Sequence, residues 1–171
     1  MGNDVFQRSE MTDAFHYTIR AFDTDDAVAV RRLIAELQDS LSPLDESLPR
    51  GAQMASAYYA QTMERCREQT GAIFVADAGG EVVGFVVVLT RVPFASADAP
   101  PGEFAFVTDL AVTEAWRRRG IGTELLAAAE NAARSNGARE LRLDVLVGNP
   151  AIDLYRQNGL TEYLITMRKR F

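Results

Sequence analysis

Two periods of hydrophobic and polar residues run through the chain, and the places where one gives way to the other divide it into elements. "FHYTIRAF" sets aromatic and β-branched residues at alternate places, which predicts a strand over 15–21. Behind Thr24 as N-cap and two acids, Val30, Leu33, Ile34, Leu37 and Leu41 recur at helical spacing and predict an amphipathic helix. "SPLDESLPRG" breaks that period with prolines, serines and a glycine, so it reads as a loop. A second helix over 52–69 gathers Ala55, Tyr58, Tyr59, Thr62, Met63 and Cys66 on one face. The middle of the chain turns to strand patterns: "AIFVAD", a Gly79-Gly80 turn and "EVVGFVVVLTR" make a hairpin, "VPFASADAPPG" a flexible loop, and 103–112 a fourth strand. An alanine-rich helix over 123–136 then buries Leu125, Leu126, Ala129, Ala132 and Ala133 and stops at Gly137. "LRLDVLV" predicts a strand, "NPAIDLYRQNG" a short helix closed by Gly159, and "LTEYLITMRKRF" a last strand.

The resulting order, βααβββαβαβ, predicts one α/β (α+β) domain over 13–171. Residues 1–12 are polar, lack the basic start and apolar stretch of a signal peptide, and read as a disordered leader. With 171 residues, 47% of them hydrophobic, the chain has enough apolar material for a single core. The balance of 18 Lys and Arg against 24 Asp and Glu leaves a net charge of −6, which argues against nucleic acid as a partner. A single cysteine, Cys66, excludes an internal disulfide and a multi-cysteine zinc site and fits a reducing cytoplasm. The longest apolar run, 82–89, already contains Gly84 and is far too short to span a membrane.

Against this acidic background, "WRRRGIGTELL" is a local exception. A strand that ends in a glycine turn and feeds a helix offers several unpaired N–H groups at the positive end of the helix dipole. Gly120 and Gly122 let a ligand approach the main chain, Thr123 adds a hydroxyl, and Arg117, Arg118 and Arg119 surround the donors with positive charge. The ligand that fits is a diphosphate. A P-loop would need a lysine that is absent, and a dinucleotide fingerprint would need GxGxxG where only "GIG" stands.

The stretch resembles the GNAT superfamily of N-acetyltransferases, whose hallmark is an [RQ]xxGx[GA] turn between the fourth strand and the next helix. Arg117, Gly120 and Gly122 match it, and "VTDLAV" upstream and "LRLDVLVGNPAIDLYRQNGL" downstream are similar to the neighbouring family segments. The resemblance implies a mixed central sheet of six or seven strands flanked by about four helices and splayed between strands four and five. It implies acetyl-CoA as cosubstrate and no metal. The pantetheine arm would pair with the main chain at Leu110, Ala111 and Val112, and the pyrophosphate would sit on the turn, Ile121 included. Asn149 is similar to an asparagine that contacts the cofactor and Tyr155 to a tyrosine near the thioester sulfur. The asparagine stands six residues before the tyrosine rather than the usual seven, and the family's Gly-Phe is Gly159-Leu160.

The expected reaction is direct attack of a primary amine, from a cationic small molecule or a peptide, on the thioester. Tyr155 would hydrogen-bond the departing sulfur and the Val112 N–H would hold the oxyanion. Deprotonating an amine of lysine-like pKa near 10.4 at pH 7 costs about 4.6 kcal/mol, so a base is needed. Glu103, Asp109 and Asp144 are the carboxylate candidates. Diamine acetyltransferases of the superfamily carry Glu-Asp where Thr108-Asp109 stands here. Asp45 and Glu46 are either solvated loop charges or attractors of a cationic acceptor, and His16 and Cys66 read as structural. The alternative is a non-catalytic acyl-CoA-binding sensor or interaction module, which thiol release would tell apart. A homodimer is common in the family.

Overall fold

The computed structural model describes residues 16–94 and 102–171, so the expected leader, the start of the first strand and much of the 92–102 loop lie outside the described residues. One mixed sheet runs in the order β1 (Thr18–Ala21), β2 (Gly71–Ala78), β3 (Glu81–Pro93), β4 (Glu103–Val112) and β5 (Leu141–Leu143). Neighbours are antiparallel except for the parallel β4–β5 pair. Four helices accompany it, α1 (Ala27–Leu41), α2 (Gly51–Glu68), α3 (Ile121–Ser135) and α4 (Ala151–Gln157). None of the described helices is long and apolar enough to cross a membrane.

The sheet is buried on both sides. Val30, Leu33 and Ile34 of α1 and Ala55 of α2 pack with Val75, Phe85 and Val87 on one face, while Leu125, Leu126 and Ala129 of α3 pack with Ala76, Val83, Val86 and Val88 on the other. Burial on both faces explains why β3 reads as a continuous apolar run instead of alternating. Gly84 lies at its closest point: a Cβ there would come 2.9 Å from the Ala111 carbonyl oxygen and 3.2 Å from Leu125. The start of α1 differs by a short step from the expected Thr24 cap. Asp23 accepts from the Asp25 N–H, Asp26 accepts in turn from the Asp23 N–H, and a 3-10 turn over Thr24–Asp26 precedes the helix.

One irregularity organises the functional half. Val87 pairs with Asp109 but Val88 pairs with Val107, so Thr108 is an extra residue on β4. Because side chains alternate faces with period two, one extra residue swaps the faces of everything beyond it. Ala105 and Val107 before the bulge, and Leu110 and Val112 after it, all pack toward α3; Ala111 packs on the α1–α2 side, and Asp109 lies on that side with it. The bulge also ends the parallel ladder, whose partners are Ala105 with Leu141, Phe106 with Arg142 and Val107 with Leu143. Beyond that point β4 and β5 part.

Among the described residues the sheet therefore has five strands, not the expected six or seven. The predicted strand over 141–147 is paired only over Leu141–Leu143, because β4 turns away at the bulge. The predicted last strand over 160–171 does not form: three paired residues of β5 offer little edge to extend, and Tyr163, Ile165 and Met167 stay exposed. That segment is tied down by charges, with Arg156 on Glu162 and with Arg168 and Arg170 on Asp45.

Candidate active site

At the head of α3 the turn combines two left-handed residues, Arg118 at φ 63° and Gly120 at φ 85°. Such alternation curls successive N–H groups toward one side, a concavity suited to anions. Among the described residues, the N–H groups of Arg118, Gly120, Ile121, Gly122 and Thr123 find no protein acceptor, whereas the next one, of Glu124, bonds the Gly120 carbonyl at 3.1 Å. Two of the arginines brace the turn: Arg117 Nε donates to the Val112 carbonyl at 2.9 Å, and Arg119 donates to the Ala115 carbonyl at 3.2 Å while lying over the Trp116 ring. Tyr17 closes the far side, donating to Glu124 Oε1 at 2.6 Å and to the Arg119 carbonyl at 3.4 Å. Burial, then the bond to Glu124, pushes its phenol up to about 12. Nothing local in the sequence marks Tyr17, which meets Glu124 only across the fold.

Next to this turn, the parted edge of β4 offers main chain. Thr113 N–H bonds the Val83 carbonyl at 2.8 Å, so by the alternation of antiparallel strands the polar groups of Leu110 and Val112 turn the other way, toward the gap. Ala111, taken at first with them, points its polar groups at β3. The Leu110 side chain and Leu154 of α4 flank Gly122, where a Cβ would meet Leu154 at 3.1 Å and Leu110 at 3.8 Å. A glycine is what this close packing admits.

The Asp109 charge reaches Tyr155 of α4. Asp109 is 6% exposed, and burial raises its carboxyl above the usual range against the opposing pull of Thr108, Tyr58 and Arg65. Its Oδ1 accepts from the Tyr58 hydroxyl at 3.1 Å, and its Oδ2 accepts from Tyr58 at 3.2 Å and from the Thr108 hydroxyl at 2.7 Å. Half-buried Tyr155 has its phenol raised by burial first and by the Asp109 charge second. Two groups of raised proton affinity thus lie within reach of one another's charge.

The profile of the acetyltransferase (GNAT) family matches residues 32–160. The chain belongs to the GNAT family. An N-alpha-acetyltransferase of Sulfurisphaera tokodaii is 38% identical over 104 residues, covering 58% of this chain and 62% of that protein. A second, of Sulfolobus acidocaldarius, is 33% identical over 129 residues, covering 72% of this chain and 77% of that protein. An aminoglycoside N-acetyltransferase solved in complex with CoA has the same fold, with a TM-score of 0.67 at 23% identity over 94% of this chain and 99% of its own. The described fold carries the family's acetyl-CoA-dependent N-acetyltransferase domain.

The remaining GNAT candidates fall elsewhere. Glu103 is exposed at the opposite end of β4, ion-paired with Arg91 at 2.8 Å, and six residues of strand put it about 20 Å from Asp109. Asp144 is exposed past the end of β5. Asn149, just before Pro150, uses its Oδ1 to accept at 2.9 Å the N–H of Ala151, the first residue of the helix that carries Tyr155. Asp45 is neither a solvated charge nor open to a ligand: it is 7% exposed, and Ser47 with Arg168 and Arg170 holds its carboxyl well below the usual range. Glu46 beside it is exposed, as is His16. Burial raises the half-buried Cys66 thiol, which keeps it protonated and inert. Tyr58 and Thr108, which hold Asp109, were not singled out for this work; the bulge that brings them together leaves no mark in a binary pattern.

Proposed function

We propose that the protein acetylates the α-amine at the N-terminus of a peptide, by direct attack on the thioester of acetyl-CoA. The observation that carries this reading is the convergence of Asp109, Tyr155 and the free edge of β4 beside the unpaired N–H groups of the turn. The residues present fit the cosubstrate, since the concave turn with its unpaired N–H groups can take a pyrophosphate and the free edge of β4 lies next to it. When bound, acetyl-CoA supplies an activated acyl carbon and a thiolate leaving group.

In this reading Leu110 and Val112 bind the pantetheine arm through their main chain, and the Val112 N–H holds the oxyanion that develops on the acyl oxygen. Asp109 accepts the proton of the attacking amine. Tyr155 gives its hydrogen bond, and then its proton, to the sulfur as the C–S bond breaks. Asn149 acts on α4 instead of on the ligand.

The acceptor class follows from the cost of the first proton. A peptide α-amine of pKa 7.7–8.0 costs only about 1 kcal/mol to deprotonate at pH 7, against about 4.6 for a lysine or polyamine nitrogen. A site with one buried carboxylate suits the cheaper task. The two relatives named N-alpha-acetyltransferase support the same choice. Purified protein with acetyl-CoA, read by a thiol reagent, tests it on four acceptors: a serine-initiated peptide, the same peptide blocked at its N-terminus but carrying a lysine, spermidine and an aminoglycoside. Thiol release is expected with the free N-terminus alone. Faster release with the blocked peptide or the polycations would overturn the acceptor class, and none with any amine despite CoA binding would overturn the catalytic reading.

A further inference from the structure

Asp109 faces an unusual set of neighbours for a buried carboxylate. From α2 come Tyr58, Arg65 and Cys66; from α4 comes Tyr155; from its own strand comes Thr108. No cation bonds it. Two hydroxyls do, and both arrive because of the bulge, which carries Asp109 to the α2 side while leaving the Thr108 side chain beside it. The Tyr58 proton has one direction to go. The phenolic hydrogen is shared between Oδ1 at 3.1 Å and Oδ2 at 3.2 Å.

The count of lone pairs then matters. A carboxylate has about four acceptor positions, two on each oxygen. Thr108 takes one on Oδ2, and the single Tyr58 hydrogen is shared between one on each oxygen. One position on Oδ1 remains for an incoming proton. Without the Tyr58 hydroxyl, the carboxylate would keep a single donor and hold its charge less well in a buried place.

We propose that Tyr58 is a positioning residue for the acetyl transfer: through its bond to both oxygens it keeps Asp109 ionised and turns one Oδ1 lone pair toward the cleft. This rests on the reading of Asp109 as the proton acceptor. The phenol does not itself touch the reacting atoms. It acts from a helix with no part in the phosphate turn, so α2 contributes to the chemistry.

Tyr58→Phe removes only the hydroxyl and keeps the ring in its packing, and Thr108→Val removes the second donor while keeping a β-branched residue on the strand. The Asp109 carboxyl is followed directly by carbon-13 NMR of the full chain labelled at aspartate, its signal identified by its loss in Asp109→Asn. In Tyr58→Phe the Asp109 titration midpoint should rise by about one pH unit, the worth of a hydrogen bond to a charged group, and Thr108→Val should move it the same way. With acetyl-CoA and a serine-initiated tetrapeptide, the acid limb of kcat/KM should move up with it, lowering kcat/KM below the limb by about tenfold, and acetyl-CoA affinity by calorimetry should hold. A drop in activity equal at every pH, with the NMR midpoint unmoved, would reduce Tyr58 to packing and overturn the proposal. A midpoint that moves while the acid limb stays, or full activity in Asp109→Asn, would overturn instead the reading of Asp109 as the base.

Discussion

The two ends of β4 carry one candidate carboxylate each, and the fold treats them oppositely. Glu103 stands in the open and answers a nearby arginine across the strands, an ion pair screened by solvent and worth little. Asp109 is buried, bonded by hydroxyls and raised in proton affinity. The residues between them alternate almost regularly in sequence. What separates the two ends is the single extra residue at Thr108, which swaps faces, parts β4 from β5, and frees main-chain groups of Leu110 and Val112. A carboxylate's chemistry here is a matter of which side of one bulge it lies on.

The most drastic way to break the contrast is to remove the bulge. Deleting Thr108 should leave Asp109 on the α1–α2 face and Leu110 and Val112 on the α3 face, because the residues on either side of the bulge alternate regularly once the extra one is gone. The ladder then runs straight past Val107, Asp109 loses the Thr108 hydroxyl and β4 has no bulge at which to part from β5, so the variant should keep a cooperative thermal transition by circular dichroism and lose measurable acetyl-CoA affinity by calorimetry.

Neutralising each carboxylate in turn keeps the fold and sharpens the contrast. Asp109→Asn should lower kcat/KM by 10²- to 10⁴-fold, the usual worth of a general base, with acetyl-CoA affinity retained. Glu103→Gln should change it less than twofold. Steady-state kinetics on the same peptide acceptor measure both.

A smaller effect belongs to the turn that β4 leads into. At φ 85° Gly120 occupies the left-handed region, where a side chain costs about 1–2 kcal/mol. If the turn relaxes to escape that strain, its N–H groups splay and Gly120→Ala should weaken acetyl-CoA binding about 5- to 30-fold by calorimetry.

The smallest expected effect is on stability, and its sign runs against activity. The carboxyl of Asp109 is raised in the folded protein, so its contribution to stability is complete below the unfolded value near 3.9 and is lost as pH rises through the folded value. Asp109→Asn escapes that loss. Its Tm should exceed the parent's by a few degrees at pH 7, and the two should converge toward pH 4. A parent that is the more stable at pH 7 would contradict the burial-driven shift.

Much of the architecture was legible in local pattern. The helices over α1, α2, α3 and α4 and the strands β2, β3 and β4 follow from the spacing of apolar residues and from glycine punctuation, and those signals act over a few residues. The turn at the head of α3 was legible for the same reason: Gly120, Gly122 and the first residues of α3 are contiguous. The last predicted strand failed because alternation says that a segment can lie on a sheet, not that an edge waits for it. β5 is paired over three residues only, so 160–171 has little to join.

The sequence by itself determined the family, the order of the elements as far as α4 and the glycine turn at the head of α3, since each rests on residues adjacent in the chain. Tertiary structure alone decided which carboxylate would be buried, that Asp45 would be consumed by Arg168 and Arg170, and that Tyr58 would reach Asp109 across 51 positions. The physical reason is that a proton affinity is set by desolvation and by the donors that arrive from other elements. Those depend on a one-residue bulge, whose cost and benefit are settled between strands and not within one.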